Sequence, residues 1–190
     1  TGETWKHIEL RPVIVNYNVG ATTHERPVTE DDRAIIARIE GLPYPTEVPS
    51  TPFPFDDMWE ASRLREKGIS YAHHLFLPRA AHALAALWRK AYAIKDPGTR
   101  RVVVWFVEQA IWGMSVLARY APTHFSQVNQ YLSGVYYVGS QIVDVSPWYI
   151  LYDESKRTSK LPRSVKSFTP MPSVHSAAIV QTGDCASIPL

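Results

Sequence analysis

Apolar positions set two rhythms along this chain. Near the amino end, Arg11 to Val19 (Arg-Pro-Val-Ile-Val-Asn-Tyr-Asn-Val) is rich in β-branched and aromatic residues and stops at Gly20. That run predicts a strand, with Thr22 to Arg26 pairing back across the Gly20-Ala21 turn as a hairpin. From Thr29 the rhythm becomes helical. Thr29 reads as an N-cap, and Glu30, Asp31 and Asp32 fill the first turn, where the helix dipole favours acids. Ile35, Ile36 and Ile39 form the apolar face, and Gly41 ends the helix. Pro43, Pro45, Pro49, Pro52 and Pro54 then impose an irregular, partly extended connection over residues 42–55. A short helix fits Asp57 to Lys67, closed by Gly68.

The strongest helical periodicity comes next. From Pro78 to Ile94, residues Leu84, Leu87, Trp88, Ala91 and Ile94 share one face. Asp96-Pro97-Gly98 reads as a turn, and Thr99 as the N-cap of a second helix over residues 100–120. Its stripe is Val103, Val107, Ala110, Ile111, Met114, Leu117 and Ala118, while Trp105, Glu108, Trp112, Ser115 and Arg119 recur on the other side. A second face bearing aromatics predicts a helix covered on two sides. The joining turn is short, so the two helices should pack as an antiparallel pair. Val135 to Val138, between Gly134 and Gly139, reads as a strand. Ser146 to Leu161 reads as a helix with Ser146 as N-cap and Pro147 at its first position. After a loop with Pro170 and Pro172, the apolar run Ala177 to Val180 and the punctuation Thr182-Gly183-Asp184 predict a terminal strand. The fold class expected is α+β, mostly helical: an antiparallel helix pair, a small amino-terminal hairpin and an incomplete carboxyl-terminal strand.

Composition narrows the chemistry. The 190 residues are 45% hydrophobic and 20% charged with a net charge of +2, ordinary for a soluble domain with a sizeable core. Cys185 is the single cysteine, which leaves no disulfide framework and no thiolate zinc site and fits a reducing, cytoplasmic setting. No apolar run spans a bilayer, so no membrane partner is expected. His73-His74 has only His82 nearby and no His-Glu-x-x-His pattern, so imidazoles that cap backbone groups are expected there, and no metal site. The densest basic stretch is Lys156, Arg157, Lys160, Arg163 and Lys166, with Trp148, Tyr149 and Tyr152 just upstream. Cations interleaved with aromatics suit a polynucleotide backbone and stacked bases; a solvated helix face has the same composition. Arg119 carries two readings as well, a guanidinium for phosphate or a cation placed at a helix carboxyl end. At a strand's end Gly183 permits a sharp turn, and the Asp184 carboxylate can accept from a ribose hydroxyl or an adenine amine.

Taken in succession, several soft patterns resemble the bacterial and archaeal DNA amino-methyltransferases that act on exocyclic amines of adenine or cytosine. They are Thr1 to Thr4 through Arg11 to Gly20, Thr29 to Glu40, Gly68 to Phe76 with its following helix, Ser115 to Tyr120, Ser133-Gly134 with Tyr136, and Thr182 to Leu190. In such enzymes a Gly-rich S-adenosylmethionine loop precedes this region and an Asp-Pro-Pro-aromatic motif follows it. Neither string occurs here, and Asp96-Pro97-Gly98 is not that motif. The resemblance therefore implies a segment of a larger enzyme, inactive alone and with no catalytic residue of its own. Residues 1–173 would be an inserted, target-handling region, and 174–190 the start of a Rossmann-like methyltransferase sheet. It also implies S-adenosylmethionine as the parent's cofactor, with Gly183 and Asp184 beside its adenine. DNA and the remaining methyltransferase domains would be the partners.

An exocyclic amine inside a duplex cannot reach a methyl sulfonium unless its base is extruded, so separate elements must grip the backbone and hold the duplex open. Lys156, Arg157, Lys160, Arg163, Arg119, Tyr149 and Tyr152 are the residues expected to do so. A different class of function rests on the Trp105/Trp112 face, which would dock a protein partner.

Overall fold

The computed structural model describes residues 9–20, 22–58, 62–122, 125–128 and 138–158. The chain divides into two compact units, Thr1–Tyr152 and Asp153–Leu190, and the second contributes only the end of one helix to the described residues. The architecture is α+β, with helix predominating among the described residues.

Strands β1 (Ile14–Val19) and β2 (Thr22–Pro27) form an antiparallel hairpin whose register runs from Ile14 opposite Pro27 to Val19 opposite Thr22. The two-residue connection requires a positive φ, and Gly20 supplies it at 61°. Tyr17 stacks on its cross-strand partner His24, ring centroids 5.4 Å apart. Helix α1 (Glu30–Glu40) begins in a capping box. The Thr29 hydroxyl oxygen accepts from the Asp32 amide at 3.4 Å, and Asp32 accepts from the Thr29 amide at 2.9 Å. Arg26 at the end of β2 closes a two-pronged pair on the same carboxylate, with Nη2 at 2.9 Å from Oδ1. One carboxylate thus caps the helix and locks the hairpin to it. The Arg26 guanidinium and the Thr29 donors hold Asp32 well below the usual carboxylate range.

The proline-rich stretch is irregular as expected, touching the rest through an isolated bridge from Pro52 to Tyr71. Helix α2 is Ser62–Glu66, shorter than the expected 57–67. Asp57 lies in a turn made by its amide and the Pro54 carbonyl, while residues 59–61 lie outside the description. Gly68, at φ 73°, ends it in the left-handed region. A 3-10 turn, Ala72–Leu75, leads into α3 (Pro78–Tyr92), and α4 (Pro97–Gly113) follows. Ala80 and Leu84, early in α3, share a buried cluster with Ala110 and Met114 at the far end of α4, so the two run antiparallel. Small side chains at Ala80, Ala81, Ala85 and Ala110 permit the close approach.

The second helix departs from expectation at both ends. Asp96, not Thr99, is its N-cap, accepting from the Thr99 amide at 2.6 Å, so Pro97 and Gly98 are its first helical residues and no separate turn. It stops at Gly113 instead of running to 120. The Ser115 hydroxyl donates to the Trp112 carbonyl at 2.7 Å, and the Val116 amide turns away to the Leu75 carbonyl at 2.8 Å. Residues past that point form β3 (Ala118–Ala121), antiparallel to β4 (Phe125–Val128). Its other edge is bonded by residues 141–143: the Tyr120 amide donates to the Gln141 carbonyl, and the Val143 amide to Ala118, both at 3.0 Å. The apolar positions Leu117 and Ala118 are buried as the stripe requires, but Leu117 lies in a second cluster with Leu64, Ile69, Val116 and Val138. The expected strand at residues 135–138 falls almost wholly outside the described residues, as do the strand at 177–182 and its sheet.

Two ion pairs brace α3. Arg79 Nη2 lies 2.7 Å from Asp144, and Arg89 Nη1 lies 2.6 Å from Glu47 in the proline-rich stretch. Burial pushes the Asp144 carboxyl up, with Arg79 pulling the other way. The Tyr44 hydroxyl donates to the His73 and Phe76 carbonyls at 2.9 and 3.2 Å, and burial raises its pKa to about 12. Tyr120 Oη donates to Glu25 at 2.6 Å, joining β3 to the hairpin.

Met114 is 2% exposed and Trp112 57%. Met114→Ala should therefore cost about 2–5 kcal/mol in a denaturant melt. Trp112→Ala should cost clearly less, and equal losses would contradict the burial described. Because the folded Asp32 pKa is depressed, its contribution to stability is complete above the ordinary carboxylate pKa of about 4 and fades as pH falls through and below it. Asp32→Asn should weaken the protein at neutral pH and flatten the fall in melting temperature between about pH 4 and 2.

Candidate nucleic-acid interface

Helix α5 (Pro147–Thr158) carries most of the expected DNA contacts that fall within the described residues. Proline at its first position loses no intrahelical hydrogen bond, and the Ser146 hydroxyl oxygen accepts from the Trp148 amide at 3.3 Å, as an N-cap should. Its inward residues are Ile150 and Leu151. Leu151 is buried against α3 and α4, and Ile150 lies over Gly113, whose missing side chain leaves the space that the isoleucine tip fills. Any Cβ at residue 113 would collide with Ile150. Burying positions 150 and 151 turns positions 148 and 152 outward, since one turn spans 3.6 residues. Trp148 is accordingly 78% exposed and Tyr152 65%, with Tyr149 on the edge at 38%.

Between the start of α5 and the outer side of α3 lies an open recess of about 170 Å³. Ala83, Ala86 and Leu87 line it from α3, and Pro147, Trp148 and Leu151 from α5. Among the described residues, Lys90 is the one charged residue in its lining, and no carboxylate pairs with it.

Tyr149 and Tyr152 thus share an exposed helix surface with Trp148, and Lys156 and Arg157 fall on the last turn of that helix. Arg119 does not belong to this element. It is an exposed residue of β3, opposite Gln127, so its reading as a cation at a helix carboxyl end is overturned by the early stop of α4. Lys160, Arg163, Lys166, Gly183 and Asp184 lie outside the described residues. The alternative Trp105/Trp112 face is exposed, with Arg101, Trp105, Glu108 and Trp112 recurring along α4 at helical spacing.

The histidine pair behaves as a structural turn. The Ser70 amide donates to His74 Nδ1 at 3.1 Å, and the two imidazoles meet edge to face at 4.4 Å beside Tyr44 and Tyr71. Among the described residues, no group of three or more His, Cys, Asp or Glu could hold a metal ion. No described helix is long and apolar enough to cross a membrane. The sequence reading did not single out Lys90 or the recess, because they arise only where α3 and α5 meet. Trp148 carried a legible signal, a large aromatic at the second position of a helix and just upstream of the basic stretch. No protein-family model, curated protein or solved structure matches this chain.

Removing an outward aromatic should leave the fold intact. Trp148→Ala should change unfolding free energy by no more than about 0.5 kcal/mol, whereas Leu151→Ala should cost about 2–5 kcal/mol. Parallel urea melts read both, and a large loss in the Trp148 variant would place that side chain in the core.

Proposed function

We propose that this chain is the DNA-handling segment of an S-adenosylmethionine-dependent methyltransferase acting on an exocyclic base amine, with α5 as its DNA surface. The observation that carries the reading is the display of Trp148 and Tyr152 on a helix whose last turn holds Lys156 and Arg157. Large aromatics left in solvent beside a basic turn suit a polynucleotide, because phosphates attract the cations and every base has a face that stacks. The succession of sequence patterns that resembles the DNA amino-methyltransferases supplies the reaction class. In that reading residues 174–190 begin the methyltransferase sheet. S-adenosylmethionine would supply the methyl group, and Gly183 and Asp184, the residues the resemblance assigns to it, lie outside the described residues.

The work left to these residues is positioning. Phosphate contacts fix where a strand lies without reading its sequence, and stacking holds a base once it has left the duplex. Anchoring Ile150 and Leu151 in the interior gives α5 a fixed orientation for that task. A second reading, a protein-docking module, is favoured by one feature: Trp105 and Trp112 are 40% and 57% exposed on α4.

Fluorescence anisotropy over a salt series tests the DNA reading. Each phosphate contact adds about −0.9 to the slope of log affinity against log salt on duplex DNA. Replacing Lys156, Arg157 and Lys160 with Ala should flatten the slope by about two to three units and weaken all sequences alike. An unchanged slope would remove α5 as the DNA surface and leave the docking reading.

A further inference from the structure

We infer that the connection between α3 and α4 is a second phosphate-binding surface, where Lys90, Lys95, Arg100 and Arg101 hold the backbone of a DNA duplex. This rests on the reading of the chain as a DNA-handling segment and adds a contact region on elements other than α5. Residues 89–101 hold five cations and one acid, a larger net positive charge than the +2 of all 190 residues. The antiparallel pairing gathers them at one end of the helix pair. Lys90 stands in the last turn of α3, Lys95 between the helices, and Arg100 and Arg101 at the fourth and fifth positions of α4. Lys90, Lys95 and Arg101 are exposed, and Arg100 is half-buried. Arg89 is paired with Glu47, but among the described residues no carboxylate forms an ion pair with the other four. The one acid of the stretch, Asp96, is already engaged as the N-cap of α4, accepting from the Thr99 amide at 2.6 Å.

Helix formation does not account for the two arginines. The amino end of a helix carries partial positive charge, so acids are favoured there and cations are not. Helix α1 follows that rule with Glu30, Asp31 and Asp32, whereas the first turn of α4 has no acid. Side-chain charge and helix dipole therefore add at this end of α4, and both favour an anion supplied from outside. Guanidinium groups match the oxygens of a phosphate with paired donors. A duplex offers several phosphates along one surface, which suits four cations spread over a helix end, a connection and a helix start. Lys90 also lines the recess beside Trp148, so this surface adjoins the first turn of α5. Contacts of this kind position the duplex and add affinity without reading sequence.

The test is fluorescence anisotropy of the 190-residue chain on a short duplex across a salt series. Replacing Lys90, Lys95, Arg100 and Arg101 with Gln should flatten the slope of log affinity against log salt by about three to four units. Lys95→Gln alone should flatten it by about 0.9 and reports even if the fourfold variant fails to fold. Arg100→Lys with Arg101→Lys should keep the slope. Arg33→Gln with Arg38→Gln removes two exposed cations of α1 and should also keep it, whereas Arg100→Gln with Arg101→Gln should not. Equal flattening by those two double variants would reduce the effect to net charge and overturn the inference. A slope unchanged by the fourfold variant but flattened by loss of Lys156, Arg157 and Lys160 overturns this inference alone. The converse result supports it and removes α5 as the DNA surface. Absence of duplex binding by the unaltered chain overturns both, and cosedimentation of that chain with phosphatidylserine vesicles, lost in the fourfold variant, would then assign the cations to a lipid surface.

Discussion

Six consecutive buried residues, Gly113 to Ala118, hold the interior together. Met114 belongs to the cluster between α3, α4 and α5, whereas Val116 and Leu117 belong to the cluster around α2 and Val138. A chain buried over such a length must find partners for every backbone polar group it carries, because an unpaired buried amide or carbonyl is costly. Here the Met114 amide completes the helix on Ala110, Ser115 satisfies the Trp112 carbonyl, and the Val116 amide reaches Leu75. Two apolar clusters are thereby linked through a hydrogen-bonded turn, and the elements on either side take their positions from it.

α5 depends on the same segment. Ile150 occupies the space over Gly113, and Leu151 packs with Met114, so the helix is seated by contacts at the end of α4. Its outward residues owe their exposure to that seating. The outer face of α4 is a contrasting case, since Trp105 and Trp112 are exposed on a helix that buries Val107, Ala110 and Gly113. The two surfaces share one framework and differ in charge: the α5 surface is followed by a basic turn, while the α4 face alternates Arg101 with Glu108.

Where local chemistry decides, the fold was legible in the sequence. Gly20 for the turn, Thr29 with Asp32 for the cap, and Pro147 after Ser146 are short-range signals, and each element they predict is present. Residues 114–120 depart from the expected helix although the apolar stripe continues to Ala118 with helical spacing. Burial of Leu117 and Ala118 follows from that stripe, but the Val116 and Tyr120 amides on either side of them are bonded to the Leu75 and Gln141 carbonyls, far off in sequence. Asp96-Pro97-Gly98 misled for the opposite reason: its turn-forming residues serve equally as a cap and first helical turn. Of the candidate site, the aromatic and basic character of α5 was visible as composition. The recess was not, because its lining is divided between α3 and α5, and no one-dimensional pattern pairs Lys90 with Trp148.

The strand at Ala118–Ala121 also constrains the order in which the protein can assemble. Its own residues favour continuing the helix, and both of its edges are bonded, to β4 on one side and to residues 141–143 on the other. Loop closure must therefore bring in distant chain before the extended form gains anything over the helical one. α3 and α4, joined by a short connection and stabilised by near neighbours, can form ahead of it. Local preference and final structure disagree at this stretch, so β3 depends on distant chain in a molecule whose other described elements largely agree with their own sequences.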